Sequence, residues 1–265
     1  MKKVLSIVLS LVMVICMMPV MAFADTVYSD VSGQPCEDAV TTLSNLSVIN
    51  GYQDGTYRPD GVVTRAEVAK LIVSALGLAD QAEGSTSSFT DLQLAQWAEG
   101  YIGYAQSLGI LEGDGDGTYR PGDAVTYNEF AAAVIRALGY TEDSLQGTWP
   151  AIYVQKATAL GLFNNVSNGG STGANRGDIA VMLYNALTVP EVYADNDGQT
   201  NKKVGSDGGD VTMMDTLNVN GSSEYKIVTN ADADTAVNSI AGYVCLLYTS
   251  PSPRDRTRSR MPSSA

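Results

Sequence analysis

Three stretches of the chain share one pattern of apolar positions. In each stretch apolar residues recur at i, i+3, i+4, i+7 and i+8, which is the spacing of an amphipathic helix with one buried face. The positions are Val68, Leu71, Ile72, Ala75 and Leu76; Phe130, Ala133, Val134, Ala137 and Leu138; and Ile179, Met182, Leu183, Ala186 and Leu187. Three copies of one amphipathic helix bury their apolar faces best against one another, so the pattern predicts a bundle with pseudo-threefold symmetry.

The starts of these helices carry capping sequences. Thr64-Arg65-Ala66-Glu67 and Thr126-Tyr127-Asn128-Glu129 are capping boxes, in which threonine accepts from the N3 amide and glutamate accepts from the threonine N–H. We therefore expect helices from Arg65 to Leu76 and from Tyr127 to Leu138, with Asn175-Arg176-Gly177-Asp178 opening a third. For Thr64, Thr126 and Glu67, capping is the primary role and any ligand contact is additional.

A hexapeptide turn precedes two of these helices and shows that the chain is a repeat protein. Asp54 to Pro59 reads Asp-Gly-Thr-Tyr-Arg-Pro and returns unchanged as Asp116 to Pro121. Each repeat also has an earlier helical stretch: Glu37 to Leu46 in the first, Trp97 to Leu108 in the second and Trp149 to Leu160 in the third. The fold class predicted is all-α, mainly helical with loops.

The predicted organisation has seven parts. These are a signal peptide (1–24), three repeats (25–79, 85–140 and a degenerate one at 145–189), a linker (190–211), the β-containing start of a truncated further domain (212–244), and an adaptor-like end (245–265). The first part has two lysines, an apolar run and the cleavage pattern Ala22-Phe23-Ala24. The last part resembles the translation of a sequencing adaptor from Cys245 to Asp255 and again from Ser259 to Ala265. We therefore expect the natural sequence to be cut short near Val244.

Charge and composition exclude several functions. The whole chain has a formal charge of −13, and the part between the two atypical ends is more acidic still, which disfavours nucleic acid and anionic lipid as partners. There is no histidine, and once the ends are set aside Cys36 is a lone cysteine. Zinc sites, histidine-based catalysis and a disulfide framework are therefore excluded. No cofactor is expected, and the fragment supplies no nucleophile with its base.

Calcium binding is a minor alternative. Asp114-Gly115-Asp116-Gly117 and Asp123 mimic part of an EF-hand loop that would start at Glu112. The same register in the first repeat places Asn50, Tyr52 and Gly61 at ligand positions, where they cannot form such a site. A turn fits both copies, so the sequence favours a turn and no metal.

Together these motifs resemble the S-layer homology module. The resemblance lies in the aromatic-x-Asp starts at Tyr28 and Phe89, the turns beginning at Gly51 and Gly113, and the Val-Thr-Arg-Ala-Glu helix start. It implies three modules that form one pseudo-trimer within a single, monomeric chain on the bacterial cell surface. It further implies grooves that bind secondary cell-wall polysaccharide, often bearing pyruvate ketals, without membrane insertion after signal cleavage. Alternatives for the whole protein are a surface glycanase or protease, or a subunit of the S-layer lattice.

The resemblance also suggests binding residues. Arg65 and Arg176 match the arginine that contacts the anionic sugar, whereas Tyr127 stands at this position in the second repeat, which puts that groove in doubt. The physical alternative is that Arg65 pairs with an acidic neighbour on a solvated face. Trp97 and Trp149 either stack on sugar rings or lie in the core. The two turn arginines are expected to brace their turns, Arg58 on Asp54 and Arg120 on Asp116.

Overall fold

The computed structural model describes residues 28–194, 200–205, 208–220, 225–226 and 246–247. Within these residues the chain is mainly helical. The helices are α1 (Glu37–Asn45), α2 (Arg65–Ala75), α3 (Ala79–Ala82), α4 (Glu99–Ser107), α5 (Tyr127–Ala137), α6 (Ala151–Ala159), α7 (Arg176–Ala186) and α8 (Met213–Asn220). The strands are β1 (Val192–Ala194), β2 (Thr200–Lys202), β3 (Tyr225–Lys226) and β4 (Leu246–Leu247), and two 3-10 turns, Leu92–Leu94 and Gln96–Ala98, precede α4.

The three capping sequences begin helices at the predicted residues. Glu67 donates its N–H to the Thr64 hydroxyl and accepts the Thr64 N–H at 2.8 Å, and Glu129 repeats this box on Thr126. Asn175 caps α7 by accepting the Asp178 N–H at 2.7 Å. Each cap satisfies helix-end donors that would otherwise lack partners.

The six main helices form a closed ring of three repeats. The second helix of each repeat packs against the first helix of the next: α2 against α4, and α5 against α6. The ring closes because α7 of the third repeat packs against α1 of the first. This is a pseudo-threefold bundle, and a linear solenoid would lack the last contact.

Three backbone hydrogen bonds join the repeats near the axis of this ring. Val63 donates to the carbonyl of Ala174 at 3.0 Å, Ala174 donates to Val125 at 2.8 Å, and Val125 donates to Val63 at 2.9 Å. All three residues lie just before a second helix and are buried. The starts of the three second helices are therefore held together, and α2 contacts α5 and α5 contacts α7.

The core is made from the predicted apolar faces, with one difference. Ile72, Phe130 and Met182 are fully buried. Leu71, which shares the predicted face of α2, is only partly buried at the edge of the core. The apolar stripe of α2 is thus narrower on this side than the sequence pattern indicates.

The segment after the third repeat departs from the expected linker and strands. Strands β1 and β2 form an antiparallel hairpin, and Val192 donates its N–H to the carbonyl of Leu138 at 2.8 Å. Thr212 and Asp215 then cap helix α8, where short strands were expected. Met213 and Leu217 of α8 are buried. Because it fills apolar surface beside the ends of α5 and α7, this segment is part of the folded domain.

The two ends of the chain fall largely outside the described residues. The predicted signal peptide at 1–24 lies there entirely. Of the adaptor-like end only 246–247 are described, as strand β4, which pairs with β3 in the segment where strands were expected. None of the helices in the described ranges is long and apolar enough to span a membrane.

Candidate functional site

The hexapeptide turns are held by the aspartates of the aromatic-x-Asp starts. Asp30 accepts the N–H groups of Tyr57 and Arg58, each at 2.7 Å, and Asp91 accepts the corresponding groups of the second turn. These bonds stabilise Arg58 in a left-handed conformation, with φ of 58°, which is costly for a residue with a side chain. The aspartate in the motif is therefore a turn-forming residue.

Glycine begins each turn because an aromatic ring occupies the space of a side chain. A Cβ at Gly51 would overlap the ring of Tyr28 and the carbonyl oxygen of Thr56. A Cβ at Gly113 would overlap Phe89 and the carbonyl oxygen of Thr118 in the same way. Both candidate glycines thus have a packing role, whatever else they contact.

The turn arginines behave differently in the two copies. Arg58 pairs with Asp54 as predicted, at 2.9 Å. The hydrogen bond from the Thr56 side chain, then those from Arg58 and the Thr56 amide, lower the pKa of Asp54 to about 2. Arg120 instead contacts Asp114 and Asp123, so the expected pairing with Asp116 is wrong. Asp116 accepts from Thr118.

These contacts also bear on the calcium alternative. The carboxylates of Asp114 and Asp123, which the EF-hand register needs as ligands, both point to the guanidinium of Arg120. In the part of the chain that the structure describes, no three potential ligands among His, Cys, Asp and Glu come together at a possible metal site.

Arg65 bridges the first and second repeats. Its Nε donates to the carbonyl of Tyr119 at 2.7 Å, Nη2 to that of Glu112 at 3.2 Å, and Nη1 to the carboxylate of Glu129 at 2.8 Å. The Tyr119 hydroxyl returns a bond to the Arg65 carbonyl at 2.9 Å. The side chain of Arg65 is only 11% exposed. The acidic neighbour that the sequence suggested is therefore real, but it lies in a partly buried interface and not on a solvated face.

Arg176 makes the same contacts between the third and first repeats. Its Nε donates to the carbonyl of Tyr57 at 2.9 Å and its Nη2 to that of Asn50 at 3.1 Å. Nη1 lies 3.9 Å from Glu67. Arg176 and Arg65 are thus equivalent positions in the ring, and the capping glutamate of the next repeat faces each of them.

Tyr127 takes the third position without a charge. Its hydroxyl donates to Asp178 at 2.6 Å, and Asp178 stands in α7 where the capping glutamates Glu67 and Glu129 stand in the other two second helices. The same carboxylate accepts from Asn168 and from the amide of Ser167. Burial, followed by the hydrogen bond to Asp178, raises the pKa of Tyr127 to about 12. This interface is filled by a neutral hydroxyl and a satisfied carboxylate.

A cavity of about 360 Å³ lies beside Arg65. Its wall includes three of the predicted site residues, Arg65, Gly113 and Trp149, together with Glu129 and Arg136, which sequence reasoning did not select. The sequence does point to Glu129, because it occupies the same position in the second capping box as Glu67, a predicted site residue, does in the first. Thr64, Thr126, Arg176, Trp97 and Gly51 do not line this cavity.

Both tryptophans are surface residues. Trp149 is 54% exposed and Trp97 is 55% exposed, so the alternative that they lie in the core is wrong. The 3-10 turn that carries Trp97 packs against α2 of the first repeat. Arg176 contacts the same repeat. Both residues are thus more than half exposed, and an exposed indole can stack on a sugar ring.

Comparisons with known proteins agree with this architecture. The model of the family described as "S-layer homology domain" matches residues 27–69 and 88–131. The chain is 35% identical over 195 residues to "Middle cell wall protein" of Brevibacillus brevis, covering 71% of this chain and 18% of that protein. It is 35% identical over 199 residues to "Cell surface protein" of Thermoanaerobacter kivui, covering 73% and 26%.

An enzyme shows a weaker similarity. The chain is 28% identical over 180 residues to "Amylopullulanase" of Thermoanaerobacterium thermosulfurigenes, covering 62% of this chain and 10% of that protein. In all three relatives the chain spans about a quarter of the length or less. The family match covers parts of the first two repeats and does not include the third. The third repeat is recognised by its helix contacts in the ring.

Proposed function

Because residues 27–69 and 88–131 belong to the S-layer homology domain family, we propose that this chain anchors an exported protein to the bacterial cell wall. It does so non-covalently, by binding an anionic secondary wall polysaccharide in the grooves between repeats. The relatives named as cell wall and cell surface proteins support the location.

The cavity beside Arg65 is the observation that carries this proposal. It combines a guanidinium at the first turn of a helix with an exposed indole on the opposite repeat. A guanidinium recognises a carboxylate with paired, charge-assisted hydrogen bonds, and an indole supplies an apolar face for a sugar ring. On a chain with an overall charge of −13, such a positive position selects a ligand by local contact and not by long-range attraction.

The grooves at the two other interfaces, one at Arg176 and one at Tyr127, present different polar groups to a ligand. Arg176 repeats the contacts of Arg65, so we propose the groove between the third and first repeats as a second binding position. The groove at Tyr127 offers an anion only a neutral hydroxyl, already bonded to Asp178. We propose that this third groove does not bind the polymer.

We propose that the three repeats bind the polymer and do not catalyse a reaction. The similarity to an amylopullulanase covers a tenth of that protein, so the shared part is a module and its presence says nothing of the activity of the remainder. A surface enzyme or an S-layer lattice subunit therefore stays an alternative for the whole protein. Turnover of wall glycan by this chain would favour the enzyme.

The test is sedimentation with purified Gram-positive sacculi. The chain without its predicted signal peptide is expected to sediment with sacculi that keep their secondary polymer, and to remain in solution when acid has stripped that polymer. Equal binding to both preparations would refute polymer recognition. A polymer whose carboxyl groups have been reduced to alcohols serves as the soluble control, and it should not compete.

A further inference from the structure

Arg136 places a second guanidinium in the cavity beside Arg65. It lies in the last turn of α5, and its side chain is only 10% exposed. Its Nε donates to the hydroxyl of Tyr153 at 2.9 Å, and its Nη2 donates to Glu112 at 2.9 Å and to Glu142 at 3.3 Å. Glu112 connects the two arginines, because its backbone carbonyl accepts from Arg65. The two guanidinium groups thus contact the same residue, Arg65 at its backbone and Arg136 at its side chain.

The register of the three repeats shows that an arginine at this position is not a general feature of the repeat. The same position of the second helix holds Ser74 in the first repeat and Asn185 in the third. Asn185 donates to the backbone carbonyls of Leu162 and Asn164 and so braces its turn directly. Arg136 contacts side chains of the turn and of the next helix instead. An arginine here is a feature of one groove only.

The carboxylates that pair with Arg136 are far more exposed than the arginine itself. Glu112 is 62% exposed and Glu142 is 60% exposed. Exposed ion pairs contribute little free energy, since water solvates the separated partners almost as well. A ligand carboxylate that enters the cavity can therefore replace them on the buried guanidinium. Glu142 is the weaker partner by distance, at 3.3 Å against 2.9 Å for Glu112.

We propose that Arg136 is a second anion-binding residue of this groove and that Glu142 competes with the ligand for it. The inference rests on the proposed function and deepens it: the groove between the first and second repeats recognises a polymer segment with two acidic groups, one on Arg65 and one on Arg136. The groove at Arg176 has Ser74 in this position and binds a single acidic group.

The two variants of this pair separate ligand binding from scaffolding because they change affinity in opposite directions. Arg136→Gln is expected to weaken binding of acid-released secondary polymer about 10-fold, the range for losing one charge-assisted pair. Glu142→Gln is expected to strengthen it about 3-fold, because the competitor is neutral. In the Arg136→Gln background Glu142→Gln should have no effect, which a double-mutant cycle measures.

Titration calorimetry on the chain without its predicted signal peptide is the measurement, with Asp143→Asn as the matched control. This substitution removes the same charge one position further along. Equal strengthening by Glu142→Gln and Asp143→Asn would reduce the effect to overall charge and overturn the inference, as would Arg136→Gln with unchanged affinity. If Arg136→Gln does not fold, the sign of the Glu142→Gln effect decides alone. Failure of the unmodified chain to bind polymer would instead refute the proposed function and the inference with it.

Discussion

Arg65 and Glu129 form an ion pair across the first and second repeats, with Nη1 and Oε1 2.8 Å apart. The other oxygen of Glu129 closes the capping box on Thr126. One carboxylate therefore fixes the start of α5 and the arginine of the preceding repeat. The same arrangement recurs between Arg176 and Glu67 at the longer distance of 3.9 Å. In this ring, capping and inter-repeat contact use the same side chains.

The pairing predicts that Arg65→Ala lowers the free energy of unfolding as well as polymer affinity. Three hydrogen bonds are lost in a partly buried interface, and we expect a loss of about 2 kcal/mol. Denaturant unfolding measures it. Arg58→Ala is the control, because Arg58 pairs with Asp54 on the surface and its loss should be clearly smaller. Equal losses in both variants would contradict a bridging role for Arg65.

A second prediction concerns the groove at Tyr127, which is proposed not to bind the polymer. Tyr127→Phe removes the hydroxyl that donates to Asp178, and we expect it to destabilise the fold by about 1 to 2 kcal/mol. Because this groove is proposed not to bind polymer, affinity should stay unchanged. Unfolding and calorimetry on the same sample check both statements. Weaker binding by a folded Tyr127→Phe protein would show that the third groove takes part.

How far the sequence predicts this structure depends on whether the contacts are local. The capping boxes at Thr64 and Thr126 are complete within four residues, so their helix starts follow from the sequence. The pairing of Arg65 with Glu129 joins positions 64 residues apart, and only the closed ring brings them together. The cavity, Arg136 and the exposure of Trp149 depend on the same closure, which the periodicity predicts in outline but not in detail.

The segment after Val189 is hard to predict from the sequence for a related reason. Its many Asn, Asp and Gly residues are typical of a linker. The apolar residues that hold the segment to the bundle, Val192, Met213 and Leu217, are separated by this polar stretch. A separated apolar set produces no periodicity, although the fold buries all of it.

The buried segment predicts a cost for shortening the chain. A protein ending at residue 189 leaves bare the apolar surface that Val192, Met213 and Leu217 cover, whereas one ending at residue 220 keeps it covered. We expect the shorter protein to melt roughly 2 to 8 °C lower, as a loss of one or two kcal/mol does in a domain of this size. A thermal melt of the two proteins is sufficient. Identical melting temperatures would show that the segment does not stabilise the bundle and behaves as a linker.

The core of α2 allows a direct comparison of two neighbouring residues. Ile72 is fully buried, and Ile72→Asp places an unpaired carboxylate in the core at several kcal/mol, of the order of the total stability. Leu71 is only partly buried, so Leu71→Asp keeps access to water and should leave the protein folded. Circular dichroism and a thermal melt distinguish them. An unfolded Leu71→Asp protein alongside a folded Ile72→Asp protein would contradict the packing of α2.

The last prediction concerns acid. The pKa of Asp54 is about 2 in the folded chain because Thr56 and Arg58 bond its carboxylate, against an ordinary value of 3.8. A carboxyl group with a lowered pKa stabilises the fold fully above its unfolded pKa, and the contribution disappears as pH falls through the folded pKa. The fold should therefore lose stability between about pH 4 and pH 2. Asp54→Asn cannot titrate, so it should be less stable than the natural sequence at pH 7 and should approach it in stability at pH 2. Denaturant midpoints at the two pH values test this, and a difference that persists unchanged in acid would show that the ionised carboxylate of Asp54 does not hold the turn.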